Sequence, residues 1–178
     1  MRVLVLFVCS AVVCAAFLGA ARAAAPDGGV LSVERGKGVV VLDVRGSILG
    51  RLSGGTLRVT DLTPNDRYVP LVFGRKVSQD RLGARTTVYK GKGLRFRMLG
   101  GRYRVVARGN GIDVSAVGRG FTVLDGEPAF LGDDPGVYSL DGVDCGLEPE
   151  SCLALPLEPE RFTLGADEQG RAAGKGSP

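Results

Sequence analysis

The chain has 178 residues, a formal net charge of +4 and 28 glycines, and it contains neither histidine nor tryptophan. The missing histidine excludes Ser-His-Asp and Cys-His catalysis and most zinc chemistry. The missing tryptophan removes a favoured residue of sugar-stacking and hot-spot surfaces, so catalysis would fall to carboxylate pairs or a Ser-Lys arrangement.

The N-terminus reads as a secretory signal. Met1-Arg2 precedes an apolar run from Val3 to Ala21, and Ala21-Arg22-Ala23 is an A-x-A site. Cleavage after Ala23 makes residues 1–23 a signal peptide and the protein exported: secreted, periplasmic or on the cell surface. The alternative is an uncleaved membrane anchor, because the run is just long enough to span a bilayer. Residues 24–165 are then of a size for a single domain.

Turn signals punctuate the first block, 36–61, at Arg45-Gly46 and Gly54-Gly55. A tight reversal at the second would place Arg51 opposite Arg58 on an outer face, with Leu52 opposite Leu57 inside. Asp43 fits poorly here, since a hairpin at Arg45-Gly46 would set it against Ile48 on the apolar side. Thr63–Asp66 (TPND) is a turn. Residues 68–73 read as an edge strand because of Pro70, and 84–90 as another strand.

Glycine then becomes rhythmic, with Gly91, Gly100, Gly109 and Gly118 nine residues apart. Two-residue turns at Gly100-Gly101, Asn110-Gly111 and Arg119-Gly120 predict a meander of strands over 94–99, 102–108, 112–117 and 121–125. In that register Phe96, Met98, Tyr103, Val105, Val114, Ala116 and Val123 share one face. Arg97 faces Arg104 on the other face, flanked by Arg95 and Arg102, and Arg108 faces Asp113. Shifts of 64 and of 55 positions both align parts of the two blocks. A duplication of 36–61 by 100–125 is one reading of this; glycine abundance is the other.

After Asp125 the pattern loosens into a loop, a short strand at 137–142 and a last strand at 160–165. Cys9 and Cys14 leave with the signal, so Cys145 and Cys152 remain to form a disulfide. Nearby histidine or cysteine ligands for a metal are lacking, and the acidic residues Asp141, Asp144, Glu148 and Glu150 match no EF-hand spacing. No cofactor or metal is expected. Residues 166–178 have no apolar side chains to bury beyond alanine and are expected to be a disordered tail.

With no helical periodicity anywhere, the expected fold is all-β: an antiparallel β-meander closing into a β-sandwich or a partly closed barrel. A parallel β-solenoid is the alternative. From Glu34 to Gly120 there are eighteen Lys and Arg against six Asp and Glu; from Phe121 onward there are three against twelve. Arg51, Arg58, Arg95, Arg97, Arg102 and Arg104 would form a basic sheet face. Like charges directly opposite are unfavourable, so the face needs compensation, either from the acidic C-terminal region folding over it or from an anionic ligand. The expectation is a non-catalytic domain at the cell envelope that binds an anionic polymer or lipid head group. Nucleic acid is disfavoured because exposed aromatics are not interleaved with the arginines. Self-association into an oligomer or surface layer is the structural alternative, and a carboxylate-dependent hydrolase is the catalytic one.

Overall fold

A computed structural model describes residues 28–127 and 134–165. The expected signal segment and C-terminal tail lie outside the described residues. The fold is nearly all β, a six-stranded antiparallel sheet: β1 (Gly29–Asp61), β2 (Leu71–Arg81), β3 (Thr86–Gly126), β4 (Val137–Ser139), β5 (Leu153–Ala154) and β6 (Glu160–Leu164). The strand path runs β2-β3-β1-β4-β5, with β6 also on β3. All pairings are antiparallel, which rules out the parallel solenoid.

The predicted meander is corrected. Gly100-Gly101, Asn110-Gly111 and Arg119-Gly120 are not hairpin turns; they lie inside β3, one strand of 41 residues, which pairs with β1 rather than with itself. Likewise Arg45-Gly46 and Gly54-Gly55 lie inside the 33-residue β1. The two blocks read as a duplication are hydrogen-bonded to one another, Gly38 against Gly126 through to Asp61 against Tyr103.

Two long strands become compact by coiling. A straight β1 would reach about 110 Å at ~3.3 Å per residue. Instead both of its edges bond to β3. Ala107 lies between Val40 and Leu57, and Val105 between Leu42 and Val59. Residues seventeen apart on β1 thus sit two places apart across the sheet. The inward rows that result are apolar: Met98–Ile48–Ala116–Leu31 and Leu94–Leu52–Ile112 are fully buried. Both long strands feed one core cluster, and its members lie between Leu31 and Leu164.

Glycine makes the bends. Gly91, Gly55, Gly109, Gly38 and Gly126 form a row straight across the sheet, each paired with the next. Gly29, Gly118 and Gly46 form a second row. Of the rhythmic glycines, Gly91 and Gly109 thus lie in the first row and Gly118 in the second, while Gly100 lies in neither. At Gly55 and Gly109 the need is stereochemical: φ is +143° and +147°, and a Cβ on either would collide with the carbonyl of Arg108 or Gly54. Across this row the inward set moves by five rather than four or six, from Leu52 to Leu57 and from Ala107 to Ile112.

The shorter features follow expectation more closely. The Thr63–Asp66 turn is closed by Asp66 N–H donating to the Thr63 carbonyl at 3.0 Å and by Thr63 Oγ1 donating to Asp66 Oδ2 at 2.7 Å. Cys145 and Cys152 form the disulfide, with Cα atoms 5.9 Å apart. Among the described residues no helix is long and apolar enough to cross a membrane.

Candidate functional site

On the outer face the arginines are not paired as the hairpin register required: Arg97 does not face Arg104 nor Arg51 Arg58, although Arg45 lies opposite Arg102 and Arg51 opposite Arg95. Arg97 lies between Leu49 and Leu71; Arg104 lies between Asp43 and Thr60. Asp43 is the compensating group. Its side chain is only 1 % exposed and is roofed by two half-exposed guanidinium groups. Arg102 Nε donates to Oδ1 at 3.1 Å, and Arg104 Nε and Nη2 donate to Oδ2 at 3.1 and 2.6 Å. Burial alone would raise the Asp43 carboxyl, but these bonds outweigh it and hold the carboxyl below its ordinary value. Arg102 and Arg104 are thus structural partners of Asp43. Arg58 stands apart between Val88 and Val106.

Arg51 and Arg95 are direct cross-strand neighbours in the row Phe73–Arg95–Arg51–Asp113. Two clefts open on either side of this pair. One, of about 620 Å³, is lined by Arg35, Arg51, Arg75 and Arg95, with Ser53 and Phe73 at its wall and Gly74, Gly93 and Gly111 in its lining. Asp113 is the only carboxylate among its lining residues. It is already engaged, with Arg51 Nε donating to Oδ2 and the Arg35 backbone N–H donating to Oδ1 at 2.7 Å. Arg35 also reaches Asp134 at 3.3 Å. Arg75 and Arg95 have no carboxylate partner among the described residues. Two non-glycine residues with left-handed backbone sit at this cleft: Arg35 in its lining (φ 56°), and Lys76 (φ 51°) next to Arg75. Such conformations cost about 1–3 kcal/mol and concentrate at functional sites.

The second cleft, of about 510 Å³, lies between the sheet and the loop that carries the disulfide; Glu34, Asp113, Ser32, Ser115, Leu49 and Val143 are among its lining residues. Burial, followed by a shared hydrogen bond with Asp113, raises the Glu34 carboxyl from 4.5 to about 7. Burial also pushes Asp113 upward, but the Arg35 N–H, the Arg51 guanidinium and Glu34 together hold it below its ordinary value. Because the folded-state value of Glu34 is raised, its contribution to stability is complete below about pH 4.5. That contribution is lost as the pH rises through about 7. Thermal unfolding across this window should therefore show the native chain losing stability relative to Glu34→Gln. Parallel profiles would refute the pairing.

Of the residues expected on the basic face, the structure brings Arg51 and Arg95 to the cleft, and Arg97 lies outside its lining. Sequence reasoning missed Arg35 and Arg75, which the register brings in from a bulge of β1 and from the edge strand. It assigned Asp113 to Arg108 where the partner is Arg51. Among the described residues of the acidic C-terminal region, Asp141 and Asp144 accept from backbone N–H groups of their own loop, and Asp134 pairs with Arg35, which is not one of the expected basic-face residues. No protein-family model, no curated protein and no solved structure matches this chain.

Proposed function

We propose that this is an exported, non-catalytic β-domain of the cell envelope that holds an anionic ligand in the cleft of Arg35, Arg51, Arg75 and Arg95. The observation that carries the reading is that these four arginines line one cleft and Asp113 is the only carboxylate among them. Guanidinium groups bind phosphate or carboxylate in bidentate fashion, and Gly93 in the lining, with nothing within 4 Å of its Cβ position, lets a ligand approach the backbone. Export rests on the apolar run and the A-x-A site of residues 1–23. The bends at the two glycine rows and the single core support a partly closed barrel as the overall shape.

Retention on a phosphate-bearing resin over a salt series tests the cleft. Arg75→Glu/Arg95→Glu should bind at least about 10-fold more weakly than the native chain, while Arg58→Glu, outside the cleft, should change little. Co-elution of the native chain and the double variant would remove this site.

A second reading, hydrolysis by paired carboxyls, is favoured by Glu34 and Asp113 in the second cleft. Against it, Asp113 is committed to Arg51 and Arg35.

A further inference from the structure

We propose that the sheet face beside the arginine cleft docks on an anionic lipid bilayer, with Leu49, Leu71 and Phe73 entering the interface while Arg95 and Arg97 engage lipid phosphates. This rests on the anion-binding reading and names its ligand class.

The register places these side chains together. Cross-strand partners share a face, so Leu71, Arg97 and Leu49 form one outward row. Phe73, Arg95 and Arg51 form the next. Leu71 and Leu49 lie two strands apart, about 10 Å, and successive outward rows lie about 7 Å apart. Leu71 is 39 % exposed, Leu49 45 % and Phe73 62 %. On the far side of the Leu71–Arg97–Leu49 row, Leu99 and Val117 flank Ser47 and are also exposed. Each guanidinium here thus has an exposed apolar group as its neighbour within one strand or one row.

A soluble polyanion would gain nothing from such apolar neighbours. An amphiphilic surface uses both: hydrocarbon for the leucines and phenylalanine, anionic head groups for the arginines. Nucleic acid would use aromatic platforms, yet four of the five exposed apolar groups are aliphatic. Pairing of a second copy along the free edge of β2 is opposed by its own charges, since Arg75, Lys76, Asp80 and Arg81 lie there and Lys76 breaks the regular strand backbone. Charge complementarity and the interleaved apolar groups both point to an anionic membrane.

Co-sedimentation tests this with the processed chain, residues 24–178, which keeps every described residue. The vesicles are phosphatidylcholine alone or phosphatidylcholine mixed with phosphatidylglycerol; soluble polyphosphate and single-stranded DNA are run beside them. Binding is expected only to the mixed vesicles. Leu49→Ser/Leu71→Ser, outside the lining of the arginine cleft, should weaken vesicle binding about 10-fold or more and leave polyphosphate binding unchanged. Both side chains are exposed, so the fold is not at risk, and unfolding midpoints verify this. Polyphosphate binding without vesicle binding, or vesicle binding equal in native and double variant, overturns the lipid inference and leaves the anion cleft standing. Loss of both overturns both. Tighter binding to DNA than to vesicles overturns the lipid inference in favour of nucleic acid.

Discussion

Replacing Arg102 and Arg104 together by alanine is expected to destabilise the fold by about 3–5 kcal/mol, the range for stranding a buried charge. The Asp43 carboxylate, 1 % exposed beneath these two guanidinium groups, would lose both of its partners. Adding Asp43→Ala removes the stranded charge and should recover most of the loss, although Asp43→Ala alone leaves the arginines half-exposed and able to resolvate. Urea unfolding of the four chains closes the cycle. A double variant within about 0.5 kcal/mol of the native chain, the size expected of an ordinary surface change, would show that Asp43 does not depend on its roof. The pH dependence carries the matching sign. With its folded-state value held below 3.8, Asp43 contributes stability above that pH, and the contribution is lost as the pH falls through the folded-state value. The double variant should lack this acid-side loss.

Gly109→Ala is the second large effect, with an expected loss of about 2–6 kcal/mol, combining ~1–3 for a non-glycine residue at an unfavourable φ with ~1–3 for overpacking. Its φ is +147°, and the added methyl would run into the backbone of Gly54. Gly55→Ala on the facing strand should behave alike, because its methyl would meet the Arg108 carbonyl. Gly83→Ala separates the two contributions. Gly83 also has positive φ, +80°, but nothing lies within 4 Å of its Cβ position, so only the strain remains. Thermal unfolding that ranks Gly83→Ala as damaging as Gly109→Ala would show that the glycine row is not a steric contact.

Much of the fold could be read from alternation. Phe96, Met98, Tyr103, Val105, Val114 and Ala116 were expected on one face and are buried; the disulfide and the all-β class followed from composition. What could not be read was the partner of each strand. A two-residue hairpin and a glycine bend both move the inward set by one position, so Gly100-Gly101 and Asn110-Gly111 satisfy either geometry. At Arg119-Gly120 the two differ, and the hairpin reading failed: Thr122 and Leu124 point inward, not Val123. Asp43 held the other clue. A carboxylate that the hairpin register forces against Ile48 signals a wrong register, because a buried charge needs partners. The true partners, Arg102 and Arg104, lie about sixty residues away, and no local rule links them. Arg35 and Arg75 carried no signal at all; only the winding of β1 and β2 onto β3 brings them to one cleft.

The pairing of β1 with β3 on both edges also sets the order in which the chain can acquire structure. Residues 29–61 have no β3 partner until synthesis has passed Thr86, and Leu31 waits for Ala116. Neither long strand folds back on itself; a local hairpin joins β2 to the start of β3, with Arg81 against Thr87, but the partners of β1 are remote. A topology so dominated by remote partners folds slowly, on the millisecond-to-second scale, and an emerging polypeptide of this kind stays open and threadable until most of its length is available.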